Sequence, residues 1–138
     1  RIILTRWNKT IINFNKTSGN KLQVYISGGD GTWIQGESTN LITADNAWHN
    51  VDFSYQANAA DSLKIYIDGV GETVVLTGTN PLSQIKTSNQ PLHIGSFGGT
   101  STYFDGLIDD VRIYNTALSA SDIALLASPF GQIKRPFK

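Results

Sequence analysis

The chain has 138 residues, the size of one ordinary domain, and eleven basic side chains balance eleven acidic ones. A formal net charge of zero argues against nucleic acid or an anionic membrane surface as a partner. No apolar run approaches the roughly 18 residues of a membrane span, so membrane insertion is not expected, and without cysteine there are no disulfides or thiolate sites. The sequence opens with Arg1 and contains no methionine, so we expect a fragment or processed form.

Short alternating runs of apolar and polar residues, separated by turn residues, predict about nine strands. The dipeptide Asp68-Gly69 between two of these runs predicts a tight hairpin. Strands at this spacing indicate an all-β sandwich. The predicted strands cover residues 2–7, 10–14, 22–26, 33–37, 48–55, 63–67, 73–76, 92–94 and 107–114.

One short helix is predicted near the end of the chain. Ser119 is a good N-cap residue, and Asp122 stands three positions later as in a capping box. Pro129 ends the helix by Ser128. We therefore expect one domain over residues 1–128, followed by a tail or linker at 129–138.

Three segments together resemble laminin-G-like domains of the concanavalin A-like jelly-roll family. They are the pair Trp48–Val51 and Leu63–Gly69, the strand Pro91–Gly95, and the closing segment Phe104–Asn115 with Ala117–Ser119 after it. The resemblance spans about residues 1–128. It implies a jelly-roll β-sandwich of two antiparallel sheets with one short C-terminal helix, and it implies a core position for Trp48.

The resemblance also implies strands that precede residues 2–7 and pair with the closing strand. We expect those strands to lie outside this sequence, or to come from the rest of a larger parent chain or from a neighbouring subunit. An unpaired strand edge beside an open core is otherwise an aggregation hazard.

The carboxylates do not indicate catalysis. Related glucanases carry two glutamates on one strand, and a retaining glycosidase needs two carboxyl groups about 5–5.5 Å apart. Here Glu37 stands alone and Glu72 follows the predicted hairpin turn. No nucleophile elbow is present either, so we expect no enzymatic activity.

Calcium is the cofactor that the resemblance implies. Calcium takes six to eight oxygen ligands. A rim site like that of laminin-G-like domains would use Asn8 and Asn115, with Asp30 and the carbonyl groups of the Ser27-Gly28 turn nearby. In related sandwich enzymes, the residue that matches Asp109 holds a structural calcium. The alternative is that Asn115 ends a strand, and that Asp109 or Asp110 pairs with Arg112.

Aromatic side chains at strand ends or in glycine-rich loops are candidates for stacking on a sugar ring. They are Trp7, Tyr25, Trp33 and Tyr103. Trp33 is the first candidate and Tyr103 is the second, and Asp30 in the loop before Trp33 is a further ligand-binding candidate. The alternative for Trp33 is that it anchors its loop to the core.

The sequence therefore predicts a calcium-assisted, non-catalytic carbohydrate-binding or adhesion module of a secreted, cell-surface or virion protein. Its ligand would be a polysaccharide or a glycoprotein glycan. The alternative is a structural or protein-interaction module of a larger surface or virion assembly, without a sugar site, because one fold hosts many functions.

Overall fold

Nine strands and one helix lie in the part of the chain that a computed structural model describes, residues 2–6, 12–17, 19–42, 46–97 and 102–128. The predicted tail at 129–138 is outside these ranges. The strands are β1 (Ile2–Arg6), β2 (Ile12–Lys16), β3 (Leu22–Ser27), β4 (Trp33–Ser38), β5 (Val51–Tyr55), β6 (Leu63–Ile67), β7 (Val70–Gly71), β8 (Val74–Gly78) and β9 (Leu92–Ile94).

The strands form two antiparallel sheets. The larger sheet has the order β8-β4-β3-β2-β1-β9, and the smaller one has the order β5-β6-β7. Strands β1 to β4 follow one another as a meander, and the chain then builds the smaller sheet before it returns to add β8 and β9 at the two edges. The chain crosses from the larger sheet to the smaller one and back, as in a β-sandwich.

The core lies between the sheets and follows from the alternation in the sequence. Leu22, Val24 and Ile26 of β3 are fully buried, and Ile65 of β6 faces them from the other sheet. Gly36 allows close packing at one point, because a Cβ there would lie 2.8 Å from Leu63 Cδ2. The predicted inward faces of these strands are thus confirmed.

The hairpin at Asp68-Gly69 is confirmed, but its second strand is shorter than predicted. Asp68 and Gly69 have φ values of 52° and 77°, as a two-residue turn with left-handed central residues requires. The partner of β6 is β7, only two residues long, whereas β8 pairs with β4 in the other sheet. The strand predicted at residues 73–76 was expected to pair with β6, and this was wrong. The alternation of apolar and polar residues does not reveal where a chain crosses from one sheet to the other.

The helix α1 spans Ala120–Ala127 and carries the predicted capping box. Ser119 Oγ accepts from the Asp122 backbone N–H, and the Asp122 carboxylate accepts from the Ser119 N–H. The helix packs on the hairpin, since a Cβ at Gly69 would lie 2.9 Å from that of Ala127. In the described ranges, no helix is long and apolar enough to cross a bilayer.

Trp48 does not occupy the predicted core position, since 65% of its surface is exposed. Strand β5 begins only at Val51, so Trp48 belongs to the loop before the sheet rather than to its inward face. Asn46 has a φ of 62°, which turns the chain just before the tryptophan. Strand alternation does not apply to a residue in such a loop.

The closing segment, residues 107–114, does not form the predicted strand. No ladder pairs it with any described residue, and Asp110 has a φ of 51°, which interrupts an extended run. Most of its apolar side chains are exposed, with Leu107 79% and Ile113 66% exposed, whereas Ile108 is half-buried. The pairing strands that the resemblance implies are not among the described residues, and their origin stays a prediction.

Candidate functional site

The loop between β3 and β4 is closed by its own hydrogen bonds. The Gly28 N–H donates to the Thr32 carbonyl at 2.8 Å, and Asp30 Oδ1 accepts from both the backbone N–H and the hydroxyl of Thr32. The Thr32 hydrogen bonds hold the pKa of the Asp30 carboxyl below its ordinary value of 3.8. Gly31 has a φ of 87°, which a glycine adopts without strain. The loop therefore presents an ionised carboxylate and a fixed backbone.

A cleft of about 300 Å³ opens beside this loop and is here named the Tyr25 cleft. A second chain segment borders it, because the Lys86 N–H donates to the Ser27 carbonyl at 2.9 Å. The residues that line the cleft include one aromatic residue, two hydroxyl residues, three glycines and one basic residue. Its lining residues are Tyr25, Ser27, Gly28, Gly29, Gly31, Thr32 and Lys86.

The ring of Tyr25 stacks on Trp33. The two ring centroids are 5.7 Å apart and the planes differ by 16°. Both residues lie on the outer face of the larger sheet, since the alternate positions of β3 and β4 are buried. Behind Trp33 lies Gly78, where a Cβ would come within 2.8 Å of Trp33 Cε3. Trp33 is thus held between Tyr25 and Gly78, and Tyr25 is the ring that borders the cleft.

Two carboxylates of the described strands, Glu37 and Asp52, are not paired with each other. Glu37 accepts from the Gln23 amide at 3.4 Å and forms a salt bridge with Lys21 at 3.3 Å. Burial raises the pKa of the Asp52 carboxyl, and the charge that acts on it is the cation Arg112, which opposes that shift. Neither carboxylate is coupled to a second acid in the way that glycoside hydrolysis needs.

The structure places two predicted sugar-site residues together and separates the third. Trp33 and Asp30 are chain neighbours of the lining residues Thr32 and Gly31, although neither lines the Tyr25 cleft itself, and Trp33 is 39% exposed. Tyr103 is 63% exposed and lies elsewhere, because the Phe104 N–H donates to Gly95, which follows β9. That end of β9 is opposite the end of β3 that carries the loop, and two strands lie between them. Trp7 lies outside the described residues.

The predicted calcium ligands are not assembled by the described residues. Asn8 lies outside them, and Asn115 precedes a segment that covers the smaller sheet, away from Asp30. Asp109 Oδ1 accepts from the Asp110 N–H at 2.8 Å, and Asp110 binds Arg112 through two hydrogen bonds. Within the described ranges there is no cluster of three acidic or histidine side chains suited to a metal ion. Of the predicted calcium ligands, Asp30 is the one that lies in the loop beside the cleft.

One family model, described as the concanavalin A-like lectin/glucanases superfamily, matches residues 1–124. The chain belongs to this superfamily. No curated protein and no solved structure matches the chain significantly. The concanavalin A-like architecture is thus confirmed, with two antiparallel sheets and one short helix. The superfamily name covers both lectins and glucanases, so the residues of the cleft must decide between binding and catalysis.

The sequence does not indicate that Tyr25 and Lys86 meet at one cleft. Tyr25 is one of four aromatic candidates in the sequence, and only its cross-strand position beside Trp33 makes it the ring at the cleft. The sequence around Lys86 does not indicate that this residue lies at the cleft, because its contact there is a hydrogen bond to Ser27, 59 positions away. A long-range contact of this kind leaves no pattern in the neighbouring sequence.

Proposed function

We propose that this chain is a non-catalytic carbohydrate-binding module of a secreted, cell-surface or virion protein, and that it binds a glycan in the Tyr25 cleft. The observation that carries the proposal is the stacked pair of Tyr25 and Trp33 at the border of a cleft lined by polar groups. An aromatic face accepts the apolar C–H face of a sugar ring, while a few placed polar groups bind its hydroxyl groups.

Each part of the cleft has a role in this proposal. The Tyr25 ring supports the sugar, and Trp33 keeps that ring in place from behind. The Thr32 hydroxyl, the glycine peptide groups and the Lys86 ammonium supply hydrogen bonds to sugar oxygens. Because Gly28 and Asp30 hold the loop through Thr32, little order has to be created when a ligand binds, which favours affinity.

A glycan array followed by calorimetry tests the proposal. The expected result is saturable binding of at least one class of saccharide, and no hydrolysis of that ligand over hours of incubation. An array with no signal above a denatured sample would contradict the carbohydrate-binding role. Release of reducing ends from the bound saccharide would contradict the non-catalytic one.

Calcium at Asp30 is the second part of the proposal. Asp30 Oδ2 remains available beside the loop, since the Thr32 hydrogen bonds use Oδ1. A cation that binds only the folded state raises the melting temperature, by roughly 10–15 °C at millimolar calcium if the affinity is micromolar. We expect a higher melting temperature in calcium than in EDTA for the natural chain, and no difference for Asp30→Asn. Identical melting of the natural chain in both solutions would exclude the ion.

The closing segment favours a second candidate, a protein-interaction module. Val111, Ile113 and Tyr114 expose apolar surface, and β9 ends the larger sheet with a free edge among the described strands. In this case the chain would associate with itself or with a neighbouring chain, and Ile113→Lys would weaken that association. Light scattering over a hundredfold range of concentration tests self-association, which a constant monomer mass would exclude.

A further inference from the structure

The positive charge at the Tyr25 cleft indicates which class of saccharide binds there, provided that the proposed function holds. Lys86 is the charged side chain that lines the cleft, and among the described residues no carboxylate forms a salt bridge with it. Its backbone hydrogen bond to Ser27 fixes the residue at the end of β3. Lys86 therefore brings one positive charge to the border of the cleft, and no described carboxylate pairs with it.

The neighbouring carboxylate does not cancel this charge by direct contact. Asp30 belongs to the same loop, but it is not a lining residue of the cleft. Its Oδ1 accepts two hydrogen bonds from Thr32, which direct that oxygen toward the loop itself. The groups that line the cleft are thus a cation, hydroxyl groups and peptide groups around one aromatic ring.

From this arrangement we propose that the Tyr25 cleft selects acidic saccharides, in which Lys86 binds a carboxylate of the sugar while Tyr25 stacks on its ring. A charge-assisted hydrogen bond is about twice as strong as a neutral one, and it discriminates most where the two partners meet at a fixed distance. A neutral sugar would keep the stacking contact and lose the ionic one.

The test uses paired probes, each an acidic saccharide and the neutral methyl ester of the same saccharide. They are oligogalacturonates and glucuronate-containing oligosaccharides, each compared with its methyl ester, in EDTA so that no bound cation contributes. We expect the natural chain to bind at least one acid about tenfold or more tightly than its ester. This preference should decrease as the salt concentration rises, because salt screens the ion pair.

Two variants test whether Lys86 causes the preference for the acid over the ester. Lys86→Gln removes the ammonium group and should abolish the preference, so that the acid and its ester bind with similar affinity. Lys64→Gln is the matched control, because Lys64 is an exposed lysine on the smaller sheet. It should bind both probes as the natural chain does.

The possible failures are distinguishable. If Lys86→Gln keeps the preference, or if the natural chain binds neutral glycans of the array and no acid better than its ester, the proposal for Lys86 is overturned and the carbohydrate-binding function stands. If the chain binds no saccharide of either kind on the array, both are overturned.

Discussion

Replacing Gly78 by alanine is expected to lower the free energy of unfolding by about 3 kcal/mol, as the sum of two effects. Gly78 has a φ of 86°, and a side chain in this region costs about 1 kcal/mol or more. Its Cβ would also lie 2.3 Å from the Trp33 carbonyl oxygen, and overpacking of this kind costs typically about 1–3 kcal/mol. The melting temperature should therefore decrease by roughly 10 °C.

Gly31 provides a matched control for this experiment. It has nearly the same φ, 87°, but a Cβ there would have no atom within 4 Å. Gly31→Ala should therefore show the backbone strain alone, about 1 kcal/mol. Thermal melts of the two variants measure the difference, which isolates the contact between Gly78 and Trp33. Equal melting temperatures would contradict the close packing of Trp33 against β8.

The Tyr25→Ala variant is expected to lose about 1–2 kcal/mol of glycan binding free energy, a decrease in affinity of roughly tenfold. The reason is that Tyr25, not Trp33, borders the cleft. Tyr25→Phe should keep most of the affinity, because it retains the ring. Calorimetry with the glycan found on the array measures both variants, and thermal melts confirm that they are folded.

Tyr103 serves as the matched control for Tyr25. It is an exposed tyrosine at the opposite end of the larger sheet, so Tyr103→Ala should leave glycan affinity unchanged. A loss in Tyr103→Ala together with no loss in Tyr25→Ala would move the binding site to the β9 end. Trp33→Ala should reduce both stability and affinity, since Trp33 packs between Tyr25 and Gly78.

Local sequence signals predict most of the fold. The alternation of Leu22, Val24 and Ile26 gives both the position and the buried face of β3. The Ser119 cap and the Asp68-Gly69 turn are predicted because their chemistry is contained within four residues. Elements defined by neighbouring residues can be derived from sequence in this way.

Features that depend on distant partners are not predicted. The closing segment has an alternating pattern, yet it forms no strand. A strand needs a partner strand to pair with, and the pattern of one segment does not show whether that partner is present. Trp48 resembles a core residue in its motif, but the loop before β5 leaves it exposed. A motif indicates the family more reliably than it indicates the burial of each of its residues.

The candidate site is predicted from the sequence only in part. Trp33 and the loop with Asp30 are predicted, because an aromatic residue after a glycine-rich turn is a local pattern. The assignment of Tyr25 as the ring at the cleft and the arrival of Lys86 both need the register of β3 with β4 and the contact of the 84–88 segment with Ser27. Neither can be deduced from spacing along the chain.

The central claim is that a glycan binds in the Tyr25 cleft, and an NMR titration tests it most directly. The ligand is the saccharide with the strongest array signal, added to the isotope-labelled chain while backbone amide shifts are followed. The account predicts that the largest shifts occur at Gly28, Gly29, Gly31, Thr32 and Lys86. Saturable shifts confined to residues 107–114 or to the region around Tyr103, with the loop amides unchanged, would contradict it.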